Sequence, residues 1–339
     1  VPVQDLGLFA QLQGRSVRTT PFGRLVGGAA RRPRTLRLLP NTTAERVLLE
    51  GARAVGVALE GGGELRARRE VILSAGALGT PRILHATGLA PARGSAGEGV
   101  FPLHDKPKVW LTLGFRGLPC EEYFTRHKKV GDMLAYLNAS SPTTDGPDAS
   151  AEFQLYLSEG CCTAAPGAEE KQEHHCFTIG MVLLHPTSPG HFYVRGSTNR
   201  SSNIDSGEGD GNNQSSCTYD LTLYDEDVRR FGRMVSILRA VGNRTARRLQ
   251  RSLGVEVLLD LDQLMQISGA TLANGLRHST SNWNHPTGTC PIGQVVDRQL
   301  RVLGAQRLRV ADASVLPLPV SGHTDAAAQL VGQMAAGFV

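Results

Sequence analysis

Four short stretches near the C-terminal end of this 339-residue sequence decide its fold class. They are Asn284-His285-Pro286-Thr287-Gly288-Thr289-Cys290-Pro291-Ile292-Gly293, Val295-Val296-Asp297, Leu308-Arg309-Val310-Ala311-Asp312-Ala313-Ser314-Val315-Leu316-Pro317 and Ser321-Gly322-His323-Thr324-Asp325. The apolar pattern after them predicts a helix over residues 324–339, with Thr324 as its N-cap. His323 then directly precedes a helix start, where free N–H groups and the helix dipole favour an anion. A histidine in that place suits proton abstraction coupled to charge build-up on an acceptor.

Together these stretches resemble the C-terminal motifs of the glucose–methanol–choline (GMC) family of FAD-dependent oxidoreductases. The family pattern is H-P-x-G-T-C-x-M-G, V-V-D, L-R-V-x-D-A-S-x-x-P and S-G-(N/H)-T-N-A. The sequence departs from it at Ile292, where Met is usual, and at Asp325, where a second Asn is usual. A second family signature lies upstream at residues 76–90, with departures at Thr87 and Ala90. Two independent motifs in the family's order make the resemblance specific.

The family's phosphate-binding loop, G-x-G-x-x-G between a strand and a helix, is not found in the sequence. Gly61-Gly62-Gly63 is interpreted instead as a hairpin turn that leads to the strand at residues 71–74. The first residue is Val1, and nothing near it resembles a signal peptide. We therefore expect the chain to begin inside a longer protein, or to have been processed, and to bind FAD poorly by itself.

The resemblance implies an α/β fold in which an incomplete GMC-type FAD-binding domain is joined to an antiparallel-sheet, α+β substrate domain. Residues 1–105 would form the middle part of the FAD-binding domain, residues 106–281 the substrate-binding domain, and residues 282–339 the C-terminal return that carries the histidines. Apolar patterns predict the individual elements. Strands are predicted at residues 35–39, 44–49, 54–59, 71–74, 110–115, 151–157, 177–184 and 191–195 and as short pieces within 295–310, helices at 80–85, 224–253 and 324–339, and a mobile loop at 196–216.

The resemblance also implies the catalytic residues. His285 and His323 fall on the family's two histidine positions, so both would face the reactive edge of the flavin. One would take the hydroxyl proton of a small-molecule alcohol while the α-hydrogen leaves as hydride to flavin N5. The other would hold the substrate oxygen. Many relatives carry Asn at the second position, so the pair resembles aryl-alcohol and glucose oxidases more than choline dehydrogenases.

The same resemblance implies which residues touch FAD. Ala44 would offer its backbone to the adenine, and Ala75 and Gly76 would lie beside the adenosine. The phosphates and the ribityl chain would lie beside Asp312 and Ala313, and the helix headed by Thr324 would point at the flavin pyrimidine. Glycine where a strand meets a helix lets backbone approach a ligand closely.

Other features of the sequence point to ordinary structural roles. Cys290 is interpreted as a small buried packing residue. The group Cys161, Cys162, His174, His175 and Cys176 fits no standard zinc spacing, so we predict no metal, and a disulfide or free thiols stay open. The run 103–107 resembles the family's L-x-D-H-P, with Lys106 in place of His.

Charge and composition argue against a nucleic-acid partner and against a membrane-spanning helix. The formal net charge of +5 comes from scattered arginines without aromatic or motif context, which predicts solvated faces and not a nucleic-acid site. No apolar run is long enough for a membrane span. Five N-x-S/T sequons point towards a secretory route, although the sequence leaves localisation unknown. They lie at Asn41, Asn138, Asn199, Asn213 and Asn243.

Three other functions remain open. A hydroxynitrile lyase of the same superfamily tends to read Y-H-G-G-C and S-P-G-T-N, which Thr287-Gly288-Thr289 and Ser321-Gly322-His323 fit less well. A fatty-acid photodecarboxylase lacks a histidine at the first position, where this chain has His285. A flavin-free, inactive fragment is the third alternative, because the phosphate loop is missing. Bound flavin in the purified full-length protein would exclude this last alternative.

Overall fold

The three-dimensional structure is a computed structural model of the chain. It describes residues 9–12, 15–18, 36–90, 92–93, 98–116, 133–137, 151–163, 173–195, 217–253, 256–259 and 272–339. The loop predicted at residues 196–216 lies outside these ranges.

The described residues form seventeen strands, four α-helices and a short 3-10 helix. The strands are β1 (Phe9–Leu12), β2 (Arg15–Arg18), β3 (Ala44–Glu50), β4 (Arg53–Leu59), β5 (Glu64–Arg66), β6 (Val71–Leu73), β7 (Ala92–Arg93), β8 (Gly99–Leu103), β9 (Pro107–Arg116), β10 (Met133–Leu137), β11 (Phe153–Thr163), β12 (Glu173–Leu183), β13 (Gly190–Val194), β14 (Cys217–Asp220), β15 (Glu256–Leu259), β16 (Ser281–Asn282) and β17 (Leu308–Val310). The helices are α1 (Gly76–Ala86), α2 (Asp225–Leu253), α3 (Leu272–Ser279) and α4 (Thr324–Phe338), and the 3-10 helix is Ala313–Val315.

The first layer joins two strands that are far apart in the sequence. β6 and β17 pair in parallel, with Leu308 opposite Val71 and Val310 opposite Leu73. The antiparallel sheet β3-β4-β5 directly precedes β6 in the sequence. One apolar core is shared by residues from both parts of the chain, among them Val47, Leu73, Leu84, Cys290, Val296, Val310, Val315 and Val331. This shared core holds the C-terminal motifs against the strand–helix unit β6–α1.

The second layer is an antiparallel sheet in the order β10-β11-β12-β9-β15, with β16 paired to β9. One face of this sheet packs on α2 and α3. Phe153 of β11 meets Phe231 of α2 edge to face, with ring centroids 5.4 Å apart. Val109, Met181, Leu183, Met234 and Leu276 complete this second core. The opposite face of the sheet does not pack on these helices, and it is the face that lies towards the two histidines.

A smaller sheet in the order β14-β13-β8-β7 connects the two layers. Its core is made of Phe101, Leu103, Phe192 and Val194, with Leu78 of α1 packed against it. β8 falls before residue 105 in the sequence, yet its partner β13 falls after it. The predicted domain boundary at residue 105 therefore runs through a pair of adjacent strands, and it stays a prediction.

Most of the predicted elements are present. The hairpin over residues 44–59, the strands of the substrate sheet and the two long helices all appear within a few residues of their predicted ends. The fold class is confirmed as α/β with an antiparallel-sheet part. None of the helices within the described ranges combines the length and the apolarity that crossing a membrane requires.

The strand predicted at residues 35–39 is wrong over its described part, residues 36–39, which carry no strand. Its alternating apolar residues do not reach a core, because Leu36 and Leu39 are both more than a third exposed. An alternating pattern forms a stable strand only where a neighbouring strand and a core face are present.

The short strands predicted within residues 295–310 are mostly wrong as well, since only β17 forms. Residues 295–307 fold as tight turns linked by isolated bridges such as Val296–Val302. The Asp297 carboxylate accepts the backbone N–H groups of Gln299 and Arg301, which closes one of these turns. Local side-chain-to-backbone hydrogen bonds of this kind compete with strand pairing.

Two turns also differ from prediction. The glycines 61–63 join β4 to β5, a strand the sequence did not indicate, and do not lead directly to β6. The N-cap of α4 is His323, and Thr324 is the first helical residue. His323 has an extended backbone and caps α4 without a side-chain hydrogen bond. Its ring is therefore free to meet another group.

Candidate active site

The structure brings the two predicted catalytic histidines together. Nε2 of His285 lies 3.1 Å from Nδ1 of His323, which is hydrogen-bond distance. Their ring centroids are 4.8 Å apart and the rings are nearly perpendicular. Since the contact joins one nitrogen of each ring, a single proton lies between them, and either ring can carry it.

Asp105 fixes the backbone at His285. Its Oδ1 accepts the N–H of His285 at 2.9 Å and the N–H of Lys106 at 2.6 Å. Two backbone hydrogen bonds between His104 and Thr287 join the same two segments. The turn that carries the first histidine is therefore tied to the start of β9 at several points.

Lys106 fixes the backbone at His323. Its side chain is only 1% exposed, and its Nζ donates to the carbonyl oxygens of Ser321 and Gly322. A buried ammonium group needs such acceptors, because an unpaired charge in the interior is costly. The hydroxyl group of Ser321 also lies 3.0 Å from Nε2 of His185.

The electrostatics of the site favour neutral histidines. Burial, the positive charge of Lys106 and the neighbouring His323 lower the pKa of His285 to about 4. Burial and Lys106 also lower the pKa of His323, although Asp325 opposes this. Burial lowers the pKa of Lys106 itself to about 8, against the opposing charge of Asp105. At neutral pH the site therefore holds two uncharged imidazoles beside one buried cation.

A second cluster forms where β6 and β17 end. Oδ2 of Asp312 accepts the N–H of Gly76 at 2.9 Å and the hydroxyl of Thr80 at 2.6 Å. Its Oδ1 accepts the N–H of Ser314 at 2.8 Å and so caps the 3-10 helix. Asp312 thus ties the start of α1 to the C-terminal motifs. These hydrogen bonds to Asp312 explain why α1 begins at Gly76, whereas the sequence predicted a start near residue 80.

The extra turn at the start of α1 places Pro81 inside the helix, which removes the N–H that would bind the carbonyl of Ala77. Thr289 of the G-T-C motif replaces that donor, because its Oγ1 donates to the Ala77 carbonyl at 2.6 Å. The next residue, Cys290, is buried in the shared core, and burial raises its pKa to about 12. This thiol has the packing environment that the sequence predicts for it.

The residues predicted to bind FAD occupy two places. Ala75, Gly76, Asp312 and Ala313 meet at the end of the parallel strand pair. Ala44 lies at the start of β3, in a different sheet, partly buried against the shared core. Thr324 opens α4, which packs on the 3-10 helix.

The chemistry of this edge fits a polar, anionic cofactor. α4 begins without a side-chain hydrogen bond from its N-cap residue, so its first backbone N–H groups are available as donors. At α1 the N–H of Gly76 is already bound by Asp312. A side chain added at Gly76 or Gly322 would meet no atom within 4 Å, so open space lies beside both. These observations agree with a cofactor bound along this edge.

A cavity of about 240 Å³ lies near the site but is not centred on the histidines. Asp105 and Pro107 line it together with Ser188, Thr222 and Arg277, whereas neither His285 nor His323 does. The polar side chains of these lining residues are all engaged in hydrogen bonds or ion pairs, so the histidine pair is the better candidate for the reactive centre.

The cysteine–histidine group of the sequence lies on neighbouring strands. Backbone pairing sets Cys161 opposite His175, Cys162 opposite His174, and Gly160 opposite Cys176. The side chains of these residues are outside the described part of the structure. Among the residues that are described, no group of three or more potential ligands could hold a metal ion.

Three residues that matter for the site were not identified from the sequence. Asp105 and Lys106 lie in the run at 103–107, whose departure from the family pattern was the available signal. Asp227 of α2 is fully buried and accepts hydrogen bonds from Thr187 and Ser188. It thereby fixes the turn that carries His185, and nothing in the local sequence around 227 indicates this.

Comparison with known proteins settles the family. The N-terminal family model of the GMC oxidoreductases matches residues 13–108, and the C-terminal model matches residues 198–332. The chain belongs to the GMC oxidoreductases. The prediction made from the motifs is therefore confirmed at the level of the family.

Its relatives are similar along most of its length. An uncharacterised GMC-type oxidoreductase of Mycobacterium bovis is 30% identical over 91% of this chain and 61% of its own length. An oxygen-dependent choline dehydrogenase of Brucella anthropi is 24% identical over 87% of this chain and 56% of its own. The crystal structure of pyridoxine 4-oxidase from Mesorbium loti superimposes with a TM-score of 0.64 at 20% identity, covering 95% of this chain and 63% of that one. The chain thus spans about three fifths of the length of these proteins.

Proposed function

We propose that the protein to which this GMC oxidoreductase chain belongs oxidises a small-molecule alcohol with FAD, and that His285 and His323 handle the proton. The single observation that carries the proposal is the contact between the two imidazoles. Loss of a hydroxyl proton and of the adjacent α-hydrogen requires a base and a donor at one carbon–oxygen unit. In the contact Nε2 of His285 faces Nδ1 of His323, whereas Nδ1 of His285 is buried. A substrate oxygen inserted between the two rings would meet Nε2 of His285 as the base and His323 as the hydrogen-bond donor.

Membership of the family supports FAD as the cofactor. When bound, FAD supplies the acceptor for the hydride that leaves the alcohol carbon. The residues suited to hold it are those at the strand ends and helix starts, namely Gly76, Asp312, Ala313 and Thr324, with Ala75 beside them. The uncapped start of α4 and the open space beside Gly76 and Gly322 suit an anionic, extended ligand.

The proposed proton transfer depends on the neutral state of His285 and the positive charge of Lys106. His285 is neutral at physiological pH because its pKa is lowered to about 4, so it can accept a proton. Lys106 lies close enough to lower that pKa and is held by the carbonyl groups before His323. Its positive charge would stabilise the negative charge that develops on the substrate oxygen as the proton leaves. His323, an exposed residue, would hold that oxygen.

The test is the rate of flavin reduction by an alcohol in the full-length, flavin-loaded protein. His285→Ala should lower that rate roughly 10²- to 10⁴-fold, because the base acts on the substrate proton. The flavin absorbance should stay, since His285 makes no part of the cofactor-binding edge. His191→Ala, which removes an exposed histidine of β13, is the matched control and should leave the rate unchanged. A stopped-flow rate that is the same in His285→Ala and the parent protein would refute the assigned role.

A further inference from the structure

Three aromatic side chains form a continuous wall beside the histidine pair. We define the aromatic wall as Trp110, Tyr156 and Trp283. Their ring centroids are 6.0–6.2 Å from one another. Trp283 also meets His285 edge to face, with centroids 6.2 Å apart. The wall therefore begins at the predicted catalytic base and extends away from it.

The sheet builds this wall on the face that does not pack on the helices. Val109 of β9, Phe153 of β11 and Met181 of β12 belong to the second core. Successive side chains of a strand point to opposite faces, so Lys108, Trp110, Tyr156 and position 180 share the other face. In register, Gly180 lies between Trp110 on one side and Tyr156 on the other.

Gly180 leaves the room that the wall needs. A Cβ at this position would lie 2.6 Å from Cζ3 of Trp110, much closer than side-chain atoms approach one another. Because glycine has no side chain, the Trp110 ring lies across β12 and meets Tyr156. Trp110 and Tyr156 are thus packed across three adjacent strands, and Trp283, which follows β16, completes the wall.

Lys108 lies over one face of each of the two tryptophan rings and leaves the other parts of the wall open to a substrate. Its Nζ lies 5.2 Å from the centroid of Trp110 and 5.1 Å from that of Trp283. Both distances are within the range of a cation–π interaction, in which the negative face of the ring attracts a cation. The position that a substrate ammonium group would take on these rings is therefore already filled by the chain's own ammonium group.

We propose that the aromatic wall binds the flat, apolar part of an alcohol that is neutral or carries a carboxylate, and that Lys108 excludes cationic alcohols such as choline. This inference rests on the proposed function, since it names the substrate class of that site. A planar apolar group gains by stacking on tryptophan and tyrosine rings. A carboxylate at its far end gains from Lys108, whereas a quaternary ammonium group meets like charge.

The other charged groups of this region leave that preference in place. Lys106 is buried and adds a second positive charge. The carboxylate of Asp105 is engaged with two backbone N–H groups, and that of Asp325 accepts a hydrogen bond from Gln329. The preference contrasts with the Brucella anthropi relative, whose name gives choline as its substrate.

Both tryptophans of this chain lie in the wall, so the part of the emission that is lost in a Trp110→Phe, Trp283→Phe variant of the full-length protein reports on the wall. The full-length, flavin-loaded protein is titrated with benzyl alcohol, para-hydroxymethylbenzoate and choline while tryptophan emission is followed. The two aromatic alcohols should quench the emission with saturation, and choline should not. Lys108→Met should weaken para-hydroxymethylbenzoate roughly tenfold relative to benzyl alcohol. It should also let choline bind, while the charge-preserving Lys108→Arg keeps the parent pattern.

The outcomes separate this inference from the proposed function. Saturable quenching by choline in the parent protein, or an unchanged preference in Lys108→Met, would overturn the role of Lys108. Absence of quenching by either aromatic alcohol would overturn the wall as a binding surface. Flavin reduction is measured on the same samples. If the aromatic alcohols bind the wall but never reduce the flavin, the wall is a binding surface and the proposed oxidation is wrong. If choline reduces the flavin of the parent protein, the proposed oxidation is right and the proposed substrate preference is wrong.

Discussion

The ammonium group of Lys106 donates a hydrogen bond to the carbonyl oxygen of Gly322, the residue directly before His323. The preceding residue, Asp105, accepts the backbone N–H of His285. Two consecutive residues directly before β9 thus hold the two histidines, one each. The geometry of the histidine pair therefore depends on this dipeptide.

Replacing Lys106 by Met should impair the site in two measurable ways. Without its hydrogen bonds the turn before His323 loosens, and a displacement of the order of 1 Å can cost about a hundredfold in rate. Without its charge the pKa of His285 should rise towards the ordinary histidine value. We therefore expect slower flavin reduction and an acid limb of the pH–rate profile that moves to higher pH.

Arg195→Met is the control for Lys106→Met, because Arg195 is a mostly exposed cation paired with Glu98 on the outer part of β13. It should change neither the rate nor the pH profile. A slower Lys106→Met enzyme whose acid limb stays in place would mean that Lys106 acts by packing alone.

The parent protein should show an unusually low acid limit. His285 accepts a proton only when it is neutral, so the rate should fall as the pH drops through its pKa of about 4, well below the ordinary 6.5. As the pH rises through about 8, Lys106 loses its proton and its stabilising charge, and the rate should fall again. Between these values the profile should be level. The rate of flavin reduction is measured after rapid pH jumps, and circular dichroism checks that the protein stays folded. A fall in rate centred at pH 6.5 would contradict the assignment of His285 as the base.

Asp312→Ala should destabilise the protein and weaken cofactor retention together. The substitution removes the acceptor of three hydrogen bonds, from Gly76, Thr80 and Ser314, and leaves buried donors without a partner. The free energy of unfolding should fall by about 3 kcal/mol. Urea unfolding and the flavin content of the purified protein are the measurements. Asp225→Ala, at a well-exposed carboxylate of α2, should change both only slightly; equal effects of the two substitutions would disprove the locking role of Asp312.

Gly180→Ala should disrupt the aromatic wall. The added methyl group overlaps the Trp110 ring, so the ring must move and its edge-to-face contact with Tyr156 is lost. Overpacking of this kind costs about 1–3 kcal/mol of stability, and the KM for benzyl alcohol should rise several-fold, about 2- to 10-fold for a lost aromatic contact. Gly232→Ala in α2 is the matched control. There the new methyl would be 3.9 Å from Leu272, an ordinary contact, and alanine favours the helix. If Gly180→Ala kept the parent stability and KM, the ring would not depend on the space at 180.

Much of this architecture follows from local sequence. The helix at residues 324–338 and the hairpin at 44–59 are amphipathic or apolar elements with strong turn signals, so their periodicity is enough to find them. The meeting of His285 and His323 followed from the family motifs and is present in the structure. Their catalytic role stays a prediction.

The failures have two physical causes. In the turns at 295–307 the Asp297 carboxylate binds backbone N–H groups two and four residues further along the chain, which apolar periodicity does not reveal. The exposed run at residues 36–39 has the alternation of a strand but no strand partner, so its outcome depends on what lies nearby in space. The same is true of Asp105 and Lys106, whose roles depend on segments about 180 and 216 residues further along the chain. Periodicity carries no information on such distant partners.

The parallel pairing of β6 with β17 has a consequence for the order in which the protein is made. Gly76 and Asp312, which lock that pair, are separated by 236 residues. During synthesis β6 leaves the ribosome long before its partner exists, and its two buried side chains, Val71 and Leu73, must wait for it. Closing so large a loop is entropically slow. The antiparallel sheet made in between pairs strands that lie closer together in the sequence and can form first, so the nascent chain should have a folded substrate sheet while the strand at residues 71–73 still lacks β17.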